Sequence, residues 1–189
     1  LTNLNSTATS LALTAKPSPL AAGSADVELT ASLANTEFGQ VNFFDGEASL
    51  GTTEVGPDGT AKFIASMQPD GAHNYKAVFQ PKNWLSVDSS QDQVSLSFKT
   101  FQMTNYPNIA GAGKVGSTIK VANLKTKPSV SQVTYQWLRN GTAISGKTGA
   151  TYKVVSGDFK KRIAVRITLR KASYLPLSFE TSAIRISKR

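Results

Sequence analysis

Apolar and polar residues alternate with a period of two along most of this chain. Short runs of that kind, cut by turn residues, constrain it to β-structure. The run 27–33 places Val27, Leu29, Ala31 and Leu33 on one face and Glu28, Thr30 and Ser32 on the other. A strand beginning at Leu11 meets Pro17 and Pro19, which mark an edge or an early break because proline cannot donate to a ladder. Val41–Phe43 leads into the turn Asp45-Gly46, a short strand is expected around Leu50, and Ala61–Phe63 lies between the turns at 57–59 and 69–71. Tyr75–Phe79 and Val94–Phe98 complete a set of about seven short strands, the pattern of a β-sandwich.

The second half repeats the rhythm with different residues. Strands are predicted over 117–122, 131–139, 151–155, 162–169 and 180–187, with Asn140-Gly141 as a hairpin turn. In the fourth of these, Ile163, Val165, Ile167 and Leu169 face one way, and Arg162, Ala164, Arg166, Thr168 and Arg170 face the other. No segment carries helical spacing with caps. The expectation is an all-β chain of two tandem sandwiches, 1–100 and 101–189, with a short linker near Thr100-Phe101.

Residues 9–98 resemble the immunoglobulin-like repeats of large bacterial extracellular proteins. The resemblance runs through the 9–19 segment, Gly23, Gly39–Gly46, Leu50–Thr52, Gly59–Phe63 and Gly71–Phe79. Residues 106–187 resemble a second Ig-like repeat, of actinobacterial secreted and wall-associated proteins, through Ala112–Ile119, Tyr135–Thr142, Ile144–Gly146, Ala150–Tyr152, Asp158 and Ile163–Thr168. Lys160 stands where that repeat usually has glycine, so the turn before residue 162 is expected to differ. The resemblance implies two tandem immunoglobulin-like β-sandwiches that space, present and sometimes adhere, in an extracellular or cell-wall-associated protein. It names no ligand. The two ends lead to the expectation that any signal or anchor lies outside these 189 residues.

Composition narrows the chemistry. The chain has no cysteine, which removes disulfides, thiolate metal sites and cysteine nucleophiles. No apolar run approaches the ~18–20 residues of a membrane helix. His73 is the only histidine, without a second His or Cys to make it a zinc ligand or triad base, so a structural role is expected. Asp45, Asp58 and Asp70 each precede glycine, which turn chemistry explains better than calcium. No catalytic site, metal or cofactor is expected. Gly111–Lys114 reads as a turn and Leu175–Ser178 as a loop before the final strand. Trp137 is placed in the core, and the hydroxyl of Tyr75 is expected to bond backbone in the manner of a tyrosine corner. Trp84 lies in a loop, where it either packs locally or offers a carbohydrate or other ligand an aromatic contact.

The net charge of +9 is not shared evenly. Residues 1–100 carry five lysines against ten acids, whereas 101–189 carry sixteen Lys and Arg against Asp158 and Glu180 alone. Within that basic half Arg162, Arg166 and Arg170 share one strand face, with Lys160 just before them and Arg185 on the neighbouring final strand. Like charges facing each other across a ladder are unfavourable without a partner. The motivated partners are an anionic cell-wall polymer, an acidic glycan, or an acidic protein surface on a host or neighbouring chain. Nucleic acid is disfavoured because no base-stacking aromatic is interleaved with the arginines. The function expected is a non-catalytic stalk or spacer with adhesive contacts. The alternative is a polysaccharide- or wall-polymer-binding accessory region of a secreted hydrolase.

Overall fold

The computed structural model describes residues 10–34, 38–82 and 90–188. Trp84 lies outside the described residues. The chain divides into two units, Leu1–Ser18 with Ser24–Lys99, and Pro19–Gly23 with Thr100–Arg189.

The first unit is built from seven strands: β1 (Leu11–Leu20), whose last two residues fall in the second unit, β2 (Ser24–Leu33), β3 (Gly39–Asp45), β4 (Ala48–Glu54), β5 (Thr60–Pro69), β6 (Gly71–Pro81) and β7 (Gln91–Phe98). They form a three-stranded sheet in the order β1-β2-β5 and a four-stranded sheet in the order β4-β3-β6-β7. The alternation is the cause. Val27, Leu29 and Ala31 of β2 are fully buried, as are Val41 and Phe43 of β3 and Tyr75, Ala77 and Phe79 of β6. Removing each of the larger side chains from water contributes about 1.5–3 kcal/mol. Phe43 and Phe63, from different sheets, stack at 5.5 Å. β1 runs through Pro17 and Pro19 unbroken, and does so at the sheet edge where their missing N–H is harmless.

His73 is buried and structural. Its Nδ1 lies 2.7 Å from Asp45 Oδ2 and its Nε2 2.9 Å from the carbonyl of Pro69, while its ring stacks on both Tyr75 and Phe98. Asp45 also accepts the Asn74 N–H at 3.0 Å, so this acid ties the β3–β4 turn to β6. Asp58 accepts from the backbone and hydroxyl of Thr60, the turn bonding expected of it. Tyr75 corrects the sequence reading. Its hydroxyl is buried with no hydrogen-bond partner among the described residues, rather than bonded to backbone as in a tyrosine corner. Burial and the nearby Asp45 push its ionisation up to about 12.

The second unit holds β8 (Gln102–Asn105), β9 (Asn108–Ala110), β10 (Thr118–Ala122), β11 (Lys125–Lys127), β12 (Gln132–Arg139), β13 (Thr142–Ala143), β14 (Thr151–Lys153), β15 (Arg162–Arg170), β16 (Leu177–Glu180) and β17 (Ile184–Arg185). One sheet runs β14-β10-β9, a small ladder joins β11 to β8, and the main sheet runs β13-β12-β15, with β16 and β17 both pairing β15. Trp137, Ile119, Ile163, Val165, Ile167, Leu169 and Tyr152 meet in its core, as the alternation requires. Asn140 and Gly141 both have positive φ, 49° and 83°, and close the β12–β13 hairpin with Arg139 opposite Thr142.

Here the final strand departs from expectation. Instead of one strand over 180–187, two short ones pair β15 in succession. Leu177 and Ser178, read as loop, are strand residues: Leu177 is buried opposite Leu169. The short strands β8, β9, β11 and β13 carry too few residues to show an alternation. The all-β, two-sandwich class holds.

Candidate functional site

The face of β15 that points away from the core carries the arginines, and its neighbours decide which of them are compensated. Gln136 of β12 and Glu180 of β16 flank Arg166 in the ladder. Arg166 donates to Glu180 Oε1 from Nε at 3.1 Å and from its terminal nitrogen at 2.8 Å. Arg170 lies opposite Gln132 at the far end of the strand, about 26 Å from Arg162 at ~3.3 Å per residue. The five residues singled out from the sequence therefore do not form one patch. Arg166 is ion-paired and Arg170 is remote.

Arg162, Arg185 and Lys160 do come together. They line a basin of about 480 Å³ with Asn140 and Ala183. Arg162 and Arg185 are direct partners in the β15–β17 ladder. An irregularity in the final strand creates this juxtaposition. Glu180 is opposite Arg166, and Thr181 follows in register, its N–H bonded to the Val165 carbonyl at 3.0 Å and its hydroxyl accepting the Val165 N–H at 3.2 Å. An unbroken ladder would then set Ala183 against Ile163 and Ile184 against Arg162. In the structure Ile184 faces Ile163 and Arg185 faces Arg162, so one extra residue has entered between Thr181 and Ile184. Such a bulge reverses which residues point outward beyond it. Arg185 is thereby exposed and Ile186 buried.

Lys160 enters the basin from the turn before β15. Its φ is +63°, the left-handed region that favours glycine, which explains the glycine usual at this place in the resembling repeat. The turn adopts that backbone with lysine in place. Its N–H donates to the Ile186 carbonyl and Ile186 donates to the Lys161 carbonyl, both at 3.0 Å, which ties the turn to the end of the final strand. Asn140 accepts the Arg162 N–H on Oδ1 at 2.9 Å, which leaves its amide donors and one lone pair of that oxygen for a ligand. The cationic side chains lining the basin offer donors alone, and Asn140 adds its amide donors to them.

The two acids of this unit are already engaged. Glu180 holds Arg166. Asp158 is fully buried and accepts from Arg139 Nε at 2.7 Å, the Tyr152 hydroxyl at 2.7 Å and the Val155 N–H at 2.8 Å. Its hydrogen bond raises the Arg139 guanidinium above its usual range. Burial first, then the bond to Asp158, raises the Tyr152 phenol. Trp137 stacks on Tyr152 at 5.4 Å and donates from Nε1 to the Gly149 carbonyl, so the expected core tryptophan and the buried acid form one structural cluster. Among the described residues no acid lies within ion-pair distance of Arg162, Arg185 or Lys160. No three His, Cys, Asp or Glu side chains among the described residues gather to hold a metal ion, and no described helix is long and apolar enough to cross a membrane.

The sequence alone grouped all three basin cations with Arg166 and Arg170, and did not show that only these three share the basin. The signal available was parity: Ile184 and Ile186 cannot both continue the inward face that Leu177 begins without a slip of one residue.

Residues 13–98 match the family model of the bacterial Ig-like domain (group 3), in agreement with the resemblance read from the first half. Over 178 residues the chain is 26% identical to the highly immunogenic outer capsid protein of Enterobacteria phage T4, covering 90% of this chain and 46% of that protein. The chain thus spans less than half the length of the curated relative it matches. Among solved structures it is similar to the fibronectin(III)-like modules of Clostridium thermocellum CbhA, with a TM-score of 0.40 and 18% identity over 94% of this chain and 95% of that one. It is also similar to a two-domain fibronectin type-III segment of chicken tenascin, with a TM-score of 0.29 and 13% identity over 90% and 97% of the two chains. Similarity of that degree carries no functional argument.

Proposed function

We propose that this chain is a non-catalytic pair of Ig-like modules in a larger protein displayed at an extracellular surface. It acts there as a spacer whose second unit adheres to a polyanion. The Ig-like family match supports a structural module, and similarity to a protein named as an outer capsid component supports a displayed position. The single observation that carries the adhesive part is the register of β15 and β17. It sets Arg162 against Arg185 beside Lys160 with no acid of the unit left to compensate them. A folded protein tolerates such facing charges at a cost of some tenths of a kcal/mol. A bound anion relieves that cost and releases counterions as it does so.

Retention of the intact chain on immobilised dextran sulfate tests this. Wild type is expected to be retained at low salt and to elute as ionic strength rises, since contacts between exposed charges weaken with screening. The double variant Arg162→Ser/Arg185→Ser should elute markedly earlier, and Arg166→Ser, which removes a compensated cation, should not. Equal elution of all three proteins would refute the adhesive reading.

A further inference from the structure

Lys160 lines the basin and reaches over the ring of Phe159, which lines a second depression. Beside the basic basin lies an apolar hollow of about 410 Å³ lined by Val115, Ser156, Phe159 and Lys188. Phe159 forms its aromatic wall and is only partly buried. The ammonium of Lys160 sits 5.3 Å from the centre of the Phe159 ring, and that of Lys188 5.7 Å from it. Lys160 is therefore the shared boundary, lining the basin while its charge lies over the ring of the hollow. Backbone bonds hold the boundary in place, because the Lys160 N–H and the Lys161 carbonyl clasp Ile186 between Arg185 of the basin and Lys188 of the hollow by chain position.

The two depressions select for opposite properties. The basin presents guanidinium and amide donors, with the Lys160 ammonium at its border, which match a carboxylate, sulfate or phosphate. The hollow presents an aromatic face and Val115, which match a flat apolar surface. A compact inorganic anion satisfies the first and leaves the second empty. A neutral sugar does the reverse. We propose that basin and hollow form one bipartite site for an acidic saccharide. The apolar face of a pyranose ring packs on Phe159, and the acid group of the same or the adjoining sugar lies between Arg162 and Arg185. Lys160 and Lys188, held over the ring without ligand, are placed to turn toward the saccharide's acid and hydroxyl oxygens. This inference rests on the polyanion reading above and names the ligand class of that same site.

The test is calorimetric titration of the intact chain with three probes of similar length: oligogalacturonate, polyphosphate and a neutral gluco-oligosaccharide. Wild type is expected to bind oligogalacturonate most tightly, polyphosphate more weakly and the neutral oligosaccharide not at all. Phe159→Leu, which keeps the hollow filled but removes the ring, should weaken oligogalacturonate at least tenfold and change polyphosphate by less than twofold. Phe159→Ala should do the same, with urea unfolding confirming that each variant is folded. Arg162→Ser/Arg185→Ser should abolish binding of both anions. Polyphosphate binding as tightly as oligogalacturonate, or no differential loss in Phe159→Leu, would overturn the bipartite site while leaving polyanion adhesion intact. Failure of wild type to bind either anion would overturn both.

Discussion

Removing the Asp158 carboxylate should cost the second unit more stability than any surface change in it, and the structure supplies the magnitude. Three donors converge on this fully buried acid: the Tyr152 hydroxyl, the Val155 N–H and Arg139 Nε. In Asp158→Ala the Tyr152 hydroxyl is left buried without an acceptor, at about 1–3 kcal/mol, and the Val155 N–H adds ~1 kcal/mol. Arg139 is 35% exposed and can turn to water, so its loss is smaller, about 0.5–1 kcal/mol. The expected total is about 2.5–5 kcal/mol. Asp158→Asn keeps the shape and one acceptor but turns an amide donor toward donors, and should cost about 2 kcal/mol. Tyr152→Phe removes a single bond, at about 1–1.5 kcal/mol.

The assay is urea unfolding of the intact chain in a Trp84→Phe background, so that emission from Trp137, stacked on Tyr152, reports the second unit alone. With a slope of ~1–1.5 kcal/mol per molar urea for a unit of this size, Asp158→Ala should lower the midpoint by about 2–5 M. The order of loss should be Asp158→Ala, then Asp158→Asn, then Tyr152→Phe. High salt should barely change it, because the cluster is buried. A loss below ~1 kcal/mol for Asp158→Ala would refute the reasoning, since it would mean that the three donors find water or other partners at no cost.

Tyr75 and Lys160 give two further expectations. The Tyr75 hydroxyl is buried without a partner among the described residues, so Tyr75→Phe should leave the first unit unchanged or stabilise it by up to about 1 kcal/mol, and a clear destabilisation by chemical unfolding would contradict this. Its ionisation is raised from 10 to about 12 on folding, so the neutral phenol's contribution is full below pH 10 and is lost as pH rises toward 12; Tyr75→Phe should flatten that part of an alkaline stability profile. Lys160→Gly should be more stable than Lys160→Ala by about 1 kcal/mol, since both lose the ammonium and only alanine keeps a Cβ at φ +63°. Equal melting of the two would place the turn in another conformation.

The fold was legible wherever a strand was long enough to display its period. The run from Val27 to Leu33 and the run from Arg162 to Arg170 announce both their faces, and their inward residues are buried; of the outward ones only Ala164 is buried as well. Asn140-Gly141 announces its hairpin because the turn needs positive φ at both central positions, and those residues supply it. Strands of two to four residues, such as β13 or β11, leave no such trace; their pairing follows from tertiary neighbours rather than from their own pattern. Tyr75 shows another limit. Alternation buried its ring, but whether a hydroxyl at that depth meets an acceptor depends on backbone placement that no spacing encodes. His73 was legible only as a residue lacking catalytic company. That both its ring nitrogens face oxygen atoms of the chain required the fold.

The charged site shows why composition and function stand at different levels. Sixteen cations against two acids establish that the second half is basic, yet a charge is free to act on a ligand only if its neighbours leave it uncompensated. That is decided by register. Continuing the β15–β16 ladder without interruption would set Ile184 beside Arg162 and turn Arg185 toward the core, where an unpaired guanidinium is not tolerated. One additional residue between Thr181 and Ile184 instead returns Ile184 and Ile186 to apolar neighbours and delivers Arg185 to the outer face beside Arg162. The apolar requirement of the core and the clustering of charge outside it are satisfied by the same bulge. The Ile-Arg-Ile sequence at 184–186 is thus sufficient reason for both. The basic basin is a consequence of how the last strand closes the sandwich, and it persists in any variant that preserves that closure.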